Sequence, residues 1–179
     1  DFSKVVNSGT NYKGTTVFLD ADIDFSGGLS ELFEPIGNDR IYYYFKCTFD
    51  GQGYTISGLA INSTSQCVGL FGYLNGAIIR GVVLDSSCSI VSSYSDTDAA
   101  YVGGIAGYCY ARDGPCVVEN TVSMATLTFT ETASYLYLGG IVGDLSAYFY
   151  EITVRNCANY GSVTHPGTAD KIVCIGGIV

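Results

Sequence analysis

Three aspartates alternate along the stretch VFLDADIDF: Asp20, Asp22 and Asp24. Carboxylates spaced in this way suggest calcium, a hard cation that gathers several oxygen ligands. A calcium loop also needs a spaced glycine and a closing glutamate, and neither is in place here. The same spacing is the period of an amphipathic strand, with Leu19, Ala21, Ile23 and Phe25 facing in and the three carboxylates facing out. We read it as that strand and expect no metal site. His165, the only histidine, precedes Pro166 and has no serine or cysteine nucleophile marked by a local motif, so a catalytic triad is unsupported. Arg112 and Asp113 could pair a base with an acid, but they sit in the turn-rich loop YARDGP and read as a solvated turn. Tyr42, Tyr43 and Tyr44 with Phe45, and Tyr148 and Tyr150 around Phe149, are rings that could stack on sugars. In an alternating strand, half of each run would instead be core. No catalytic residue and no cofactor is expected.

The seven cysteines include no CxxC and none lies at zinc-site spacing from His165. That number suits disulfides and buried thiols in an oxidising compartment. Cys109 and Cys116 bracket the YARDGP loop and are the best local disulfide pair. The odd count leaves one thiol without a partner. Asn62-Ser63-Thr64 is the only glycosylation sequon, so Asn62 is the candidate acceptor.

The chain has 179 residues, of which 47% are hydrophobic and 14% charged, which excludes a disordered composition. A net charge of −9 and the lack of any basic stripe give phosphate backbones nothing to bind, so no nucleic-acid partner is expected. No apolar run is long enough for a membrane span, and no basic segment followed by an apolar one opens the chain.

What positions these residues is a repeat. The octet YVGGIAGY, Tyr101 to Tyr108, returns as YLGGIVGD from Tyr137, CIGGIV from Cys174 and CVGLFGY from Cys67. Aligned on Leu70, Ile105, Ile141 and Ile178, the copies step by 35, 36 and 37 residues. A second motif follows each octet: IIRGVVL from Ile78, VVENTVSM from Val117 and TVRNCANY from Thr153. A looser third run comes next: SIVSSY from Ser89, ATLTFTE from Ala125 and SVT from Ser162. These runs are rich in Val, Ile, Thr and Tyr and read as strands. Three short strands per unit, in fixed order, predict an all-β fold, a parallel β-helix or β-solenoid whose coils stack about 4.8 Å apart.

In VVENTVSM, strict alternation puts Val118, Asn120, Val122 and Met124 on one face. TVRNCANY matches them with Val154, Asn156, Ala158 and Tyr160. If the valines point inward, Asn120 and Asn156 do too, and their amides can bond along a ladder. The other face then carries Arg80, Glu119 and Arg155 outward as a complementary charge column. In the octet, Val102 and Ile105 are three apart, so burying both requires a bulge or bend at the glycine pair.

FDGQGYTISGLAI from Phe49, followed by VGLFGYLNGAIIRGVVL, resembles the GLUG motif of large cell-surface proteins. The upstream VNSGTNYKGTTVFLDADIDFSG, EPIG and TFDGQGYTISGL resemble the usual lead-in to such repeats. The resemblance spans nearly the whole chain. It implies a right-handed parallel β-helix in secreted or surface-anchored proteins, often adhesins, with no catalytic residues to carry over. The cysteines depart from the bacterial pattern and hint at a eukaryotic secreted protein.

Residues 1–48 are read as an N-terminal cap with the first strands, and 49–179 as the repeats. DFSKVVNSG is read as a short helix with Phe2, Val5 and Val6 on one side. The broken last octet suggests further repeats, or another copy of the chain, over the final coil. The expected role is a non-enzymatic, extracellular structural or adhesive module that contacts glycans or surface proteins. A filament subunit stacking end to end and a carbohydrate-binding or polysaccharide-lyase-like β-helix are the alternatives.

Overall fold

The computed structural model describes residues 2–10, 12–27, 33–38, 43–131, 133–166 and 172–179. It is a β-solenoid of about four turns. Every strand pairing among the described residues is parallel, and every strand pairs with its equivalent one turn away.

Five sheets run along the stack. The first holds Thr16–Phe18, Thr48–Asp50, Ile78–Arg80, Cys116–Glu119 and Ile152–Arg155. The second holds Ile23–Asp24, Thr55–Ser57, Val83–Leu84, Val122–Ser123 and Ala158–Asn159. The third holds Ala60–Ser63, Ser89–Ser92, Thr126–Phe129 and Val163–Thr164. The fourth holds Cys67–Val68, Ala99–Gly103, Tyr135–Gly139 and Ile172–Gly176. The fifth holds Phe71–Asn75, Ala106–Ala111 and Val142–Ala147, extended by bridges from Ile36 to Phe71 and from Phe45 to Leu74.

Three runs per repeat thus become five strands, because two of the runs bend. The glycine octet bends between Gly103 and Ala106, so Val102 and Ile105 are both buried although three apart. Only glycine fits there. A Cβ on Gly107 would lie 2.5 Å from the backbone nitrogen of Val68, and one on Gly143 would lie 2.6 Å from that of Val102. The octet recurs because each coil must bring the fourth and fifth sheets together at this distance.

The second motif bends at a left-handed residue. Gly81, Asn120 and Asn156 follow the charged position of their coils and have φ of 63°, 53° and 53°. Asparagine tolerates that region better than other residues with a Cβ. The corner resets the alternation, which corrects the expected inward face. Val118 is buried, Asn120 is exposed, and Thr121, Ser123 and Ala125 then turn in, while Val122 and Met124 are half-buried. On the next coil, Asn156 and Tyr160 are exposed.

The core is a set of axial columns. Phe49, Ile79, Val118 and Val154 form one, and Ile61, Ile90, Leu127 and Val163 another. Each fully buried Leu, Ile or Phe adds roughly 1.5–3 kcal/mol of apolar transfer, and stacking supplies that burial along both directions of the axis.

VFLDADIDF is not one strand. It is cut at Leu19–Asp22 into Thr16–Phe18 and Ile23–Asp24, which join different sheets, and Ala21 is exposed. The cut is the corner between the first and second sheets, in the position that Gly51–Tyr54 takes one turn on. Coil-type pairing therefore begins upstream of Phe49. The helix Phe2–Asn7 buries Val6 and brings Phe2 to 6.2 Å from Phe45 and 6.4 Å from Phe49. Val5, expected on the packed side, is exposed.

Candidate functional site

The charged column is longer than the sequence reading made it. Asp50, Arg80, Glu119 and Arg155 are in register on four successive strands of the first sheet. Arg80 Nε donates to Asp50 Oδ2 at 2.9 Å, and Arg155 Nε donates to Glu119 Oε2 at 2.6 Å. The pairs are therefore Asp50–Arg80 and Glu119–Arg155. Asp50 went unassigned because it opens the GQGY loop rather than a recognisable copy of the second motif. At the neighbouring corner Asn156 Nδ2 donates to Asn120 Oδ1 at 3.2 Å, a rung on the exposed surface rather than in the core.

The cysteines do not cross-link. All seven thiols are unbridged, and Cys109 and Cys116 correct the expected disulfide. Cys109 occupies the inward column of Leu74 and Leu145. Cys116 Sγ accepts from the Gly76 N–H and donates to the Tyr110 carbonyl, each at 3.1 Å. Both sulfurs are buried, and that burial pushes both thiols up. Raised thiols are poor nucleophiles and poor metal ligands.

The loop between them is tied to the previous coil. Buried Asn75 accepts from the Arg112 and Asp113 N–H groups at 3.3 and 3.0 Å and donates from Nδ2 to Asp113 Oδ2 at 3.1 Å. Lys46 Nζ pairs with the same carboxylate oxygen at 2.7 Å, and this bond holds Asp113 below the usual carboxylate range.

The other candidates are also structural. Asp22 Oδ1 accepts from the Thr55 N–H on the next coil and Asp24 Oδ1 from the Ser26 N–H. His165 follows the Thr128–Thr164 pair, with Nδ1 3.3 Å from the Phe129 carbonyl oxygen and its ring 5.6 Å from the Phe129 ring. Among the described residues no three His, Cys, Asp or Glu side chains converge to hold a metal ion.

Two surface features remain. One is an outward tyrosine array over the fourth and fifth sheets. Tyr44 stacks on Tyr73 with centroids 4.3 Å apart, Tyr73 meets Tyr108 at 5.0 Å, Tyr108 meets Tyr101 at 4.7 Å, and Tyr101 stacks on Tyr137 at 5.4 Å. Burial pushes Tyr101 up to about 12 and raises Tyr73 and Tyr108 too. The stacked pairs turn their faces on one another. The sequence reading selected local runs, and of this array those runs contain only Tyr44. Tyr73, Tyr101, Tyr108 and Tyr137 are spread over three octets and are brought together only by the stacking of coils. Tyr42 lies outside the described residues, and Tyr148, Phe149 and Tyr150 are all exposed, with none in the core.

The second feature is a polar cleft of about 300 Å3, lined by Asn7, Glu34, Asn38, Asn62, Ser63 and Ser65 among others. Asn7 builds its wall, donating to the Pro35 carbonyl at 3.0 Å and accepting from the Gly37 N–H at 2.8 Å. Asn38 Oδ1 is buried without a hydrogen-bond partner. Asn62 itself is exposed on Ala60–Ser63, which among the described residues pairs on one side only. A separate cavity of about 530 Å3 beside the helix is apolar, walled by Phe2, Leu19, Phe25, Phe33 and Phe49 among others.

Comparison with protein families, curated proteins and solved structures returned no match. The reading of function therefore rests on these surfaces.

Proposed function

We propose that the chain is a non-enzymatic module of an extracellular or cell-surface protein, a GLUG-type β-solenoid serving as a rigid stalk and adhesive surface. The observation that supports it is how the outward side chains are used. Asp50, Arg80, Glu119 and Arg155 pair coil to coil, and the tyrosine array bridges four successive coils in the same way. Side chains engaged in stacking suit a molecule whose task is to hold a surface in place. The test is to label intact cells of the source organism with antibody to the folded chain. Surface signal, together with weaker attachment of cells lacking the segment, is the expected result. Signal only after permeabilisation would defeat the reading.

A carbohydrate-binding role has one observation in its favour, the exposed Tyr148, Phe149 and Tyr150 rings. Binding on a glycan array that disappears in Phe149→Ala would establish it, and a blank array would remove it.

A further inference from the structure

We infer that the polar cleft is the seat of the first sugar of an oligosaccharide linked to Asn62. This rests on the extracellular reading, because the linkage is made in the secretory pathway. The transfer joins Asn62 Nδ2 to the anomeric carbon of a lipid-diphosphate-linked oligosaccharide. The amide loses a proton and the lipid diphosphate leaves.

Three observations carry the inference. Asn62 stands exposed on a strand that, among the described residues, pairs on one side only, and it also lines the cleft, so a sugar on its amide begins at the mouth. The cleft offers acceptors. Asn38 Oδ1 is buried with no partner, and the exposed residue Glu34 is on the same lining. An unsatisfied buried acceptor is destabilising, and a hydroxyl or acetamide N–H placed against it removes the penalty. The volume, about 300 Å3, lies at the small end of the ligand-site range and suits one pyranose rather than a chain of them. Asn7 holds residues 35–37 through two hydrogen bonds, so the wall is formed before any sugar arrives.

The experiment expresses the chain in a eukaryotic secretory host, measures occupancy of Asn62 by intact mass, and trims the glycan to a single N-acetylglucosamine. The trimmed protein should melt about 2–4 °C above Asn62→Gln. Amide exchange across residues 33–38 should slow when the sugar is present. In an Asn38→Ala background the increment should vanish. If that variant does not fold, the exchange measurement on the native sequence and the exposed Glu34→Ala variant decide instead, with Glu34→Ala expected to reduce the increment. An unoccupied Asn62, an increment unchanged by Asn38→Ala, or unaltered exchange at 33–38 would overturn the inference. A seated sugar in a chain found only inside its own cells would instead defeat the extracellular reading and leave the cleft's chemistry intact.

Discussion

Asp144 stands in the column that Tyr108 and Tyr73 occupy one and two coils earlier, respectively. It is half-buried against the tyrosine array, and desolvation holds its carboxyl above the usual range despite a hydrogen bond from the Leu145 N–H. A carboxylate whose folded pKa exceeds its unfolded pKa burdens the fold once it ionises. Its contribution is most favourable below the unfolded value, about 3.9, and is lost as pH rises through the folded one. Asp144→Asn should therefore melt higher than the parent near neutral pH, with the gain shrinking towards zero in acid. A gain that persists unchanged at low pH would show that charge is not the cause. Asn120 is the other residue whose environment departs from its type. Its φ of 53° is open to glycine and strained for alanine. Asn120→Ala should destabilise by about 1–2 kcal/mol and Asn120→Gly by clearly less, read from urea midpoints. This residue also marks where strict alternation failed as a guide. The one signal was the aligned column Gly81, Asn120 and Asn156, residue types that tolerate positive φ, and a single left-handed residue turns every later side chain of the motif to the opposite face. The outward charge column escaped that error because Arg80, Glu119 and Arg155 precede the corner.

The elements that were most legible were those whose constraint is backbone contact. The octet's glycines recur at nearly constant spacing because Gly107 and Gly143 each lie against the backbone of the neighbouring sheet, where a Cβ would come within 2.5–2.6 Å of the Val68 or Val102 nitrogen, and a Cβ on Gly72 would lie 2.4 Å from the Gly37 carbonyl oxygen. Gly107→Ala should accordingly lower stability severely or abolish folding, since backbone rather than a flexible side chain must move. Gly114 is the control. A Cβ there would find its nearest heavy atom, the Cα of Gly76, at 3.5 Å, and Gly114→Ala should be close to neutral. Equal tolerance of the two substitutions, measured by expression and thermal melts, would contradict the role given to the bend. Elements held by side chains were harder to read. The Cys109–Cys116 loop is secured by Asn75 from another coil and by Lys46 from one earlier still. Sequence proximity of two thiols could suggest a clamp but could not show one 37 residues away. The polar cleft is similarly assembled from residues 7, 34–38 and 62–67, which share no local motif.

At the scale of the whole molecule, stability should vary along the axis, because each coil touches only its neighbours. The column Phe49–Ile79–Val118–Val154 makes this measurable with one residue type. Val118 is fully buried between Ile79 and Val154, whereas Val154 is only half-buried and, among the described residues, has a strand partner on one side. The same side-chain truncation therefore removes different amounts of packing. Val118→Ala should destabilise by about 2 kcal/mol, between the loss of one buried methylene and that of a whole leucine side chain, and Val154→Ala by less than about 1 kcal/mol. The fold also predicts where the two losses appear in amide exchange. The Val118 change should raise exchange in the first sheet on both flanking coils, at Ile78–Arg80 and Ile152–Arg155, while the Val154 change should stay within its own coil and the one before it. Matching losses at the two sites, or exchange that rises uniformly over the chain, would mean that the stack unfolds as one cooperative unit. Coil-to-coil pairing would then set its geometry without setting how its stability is distributed.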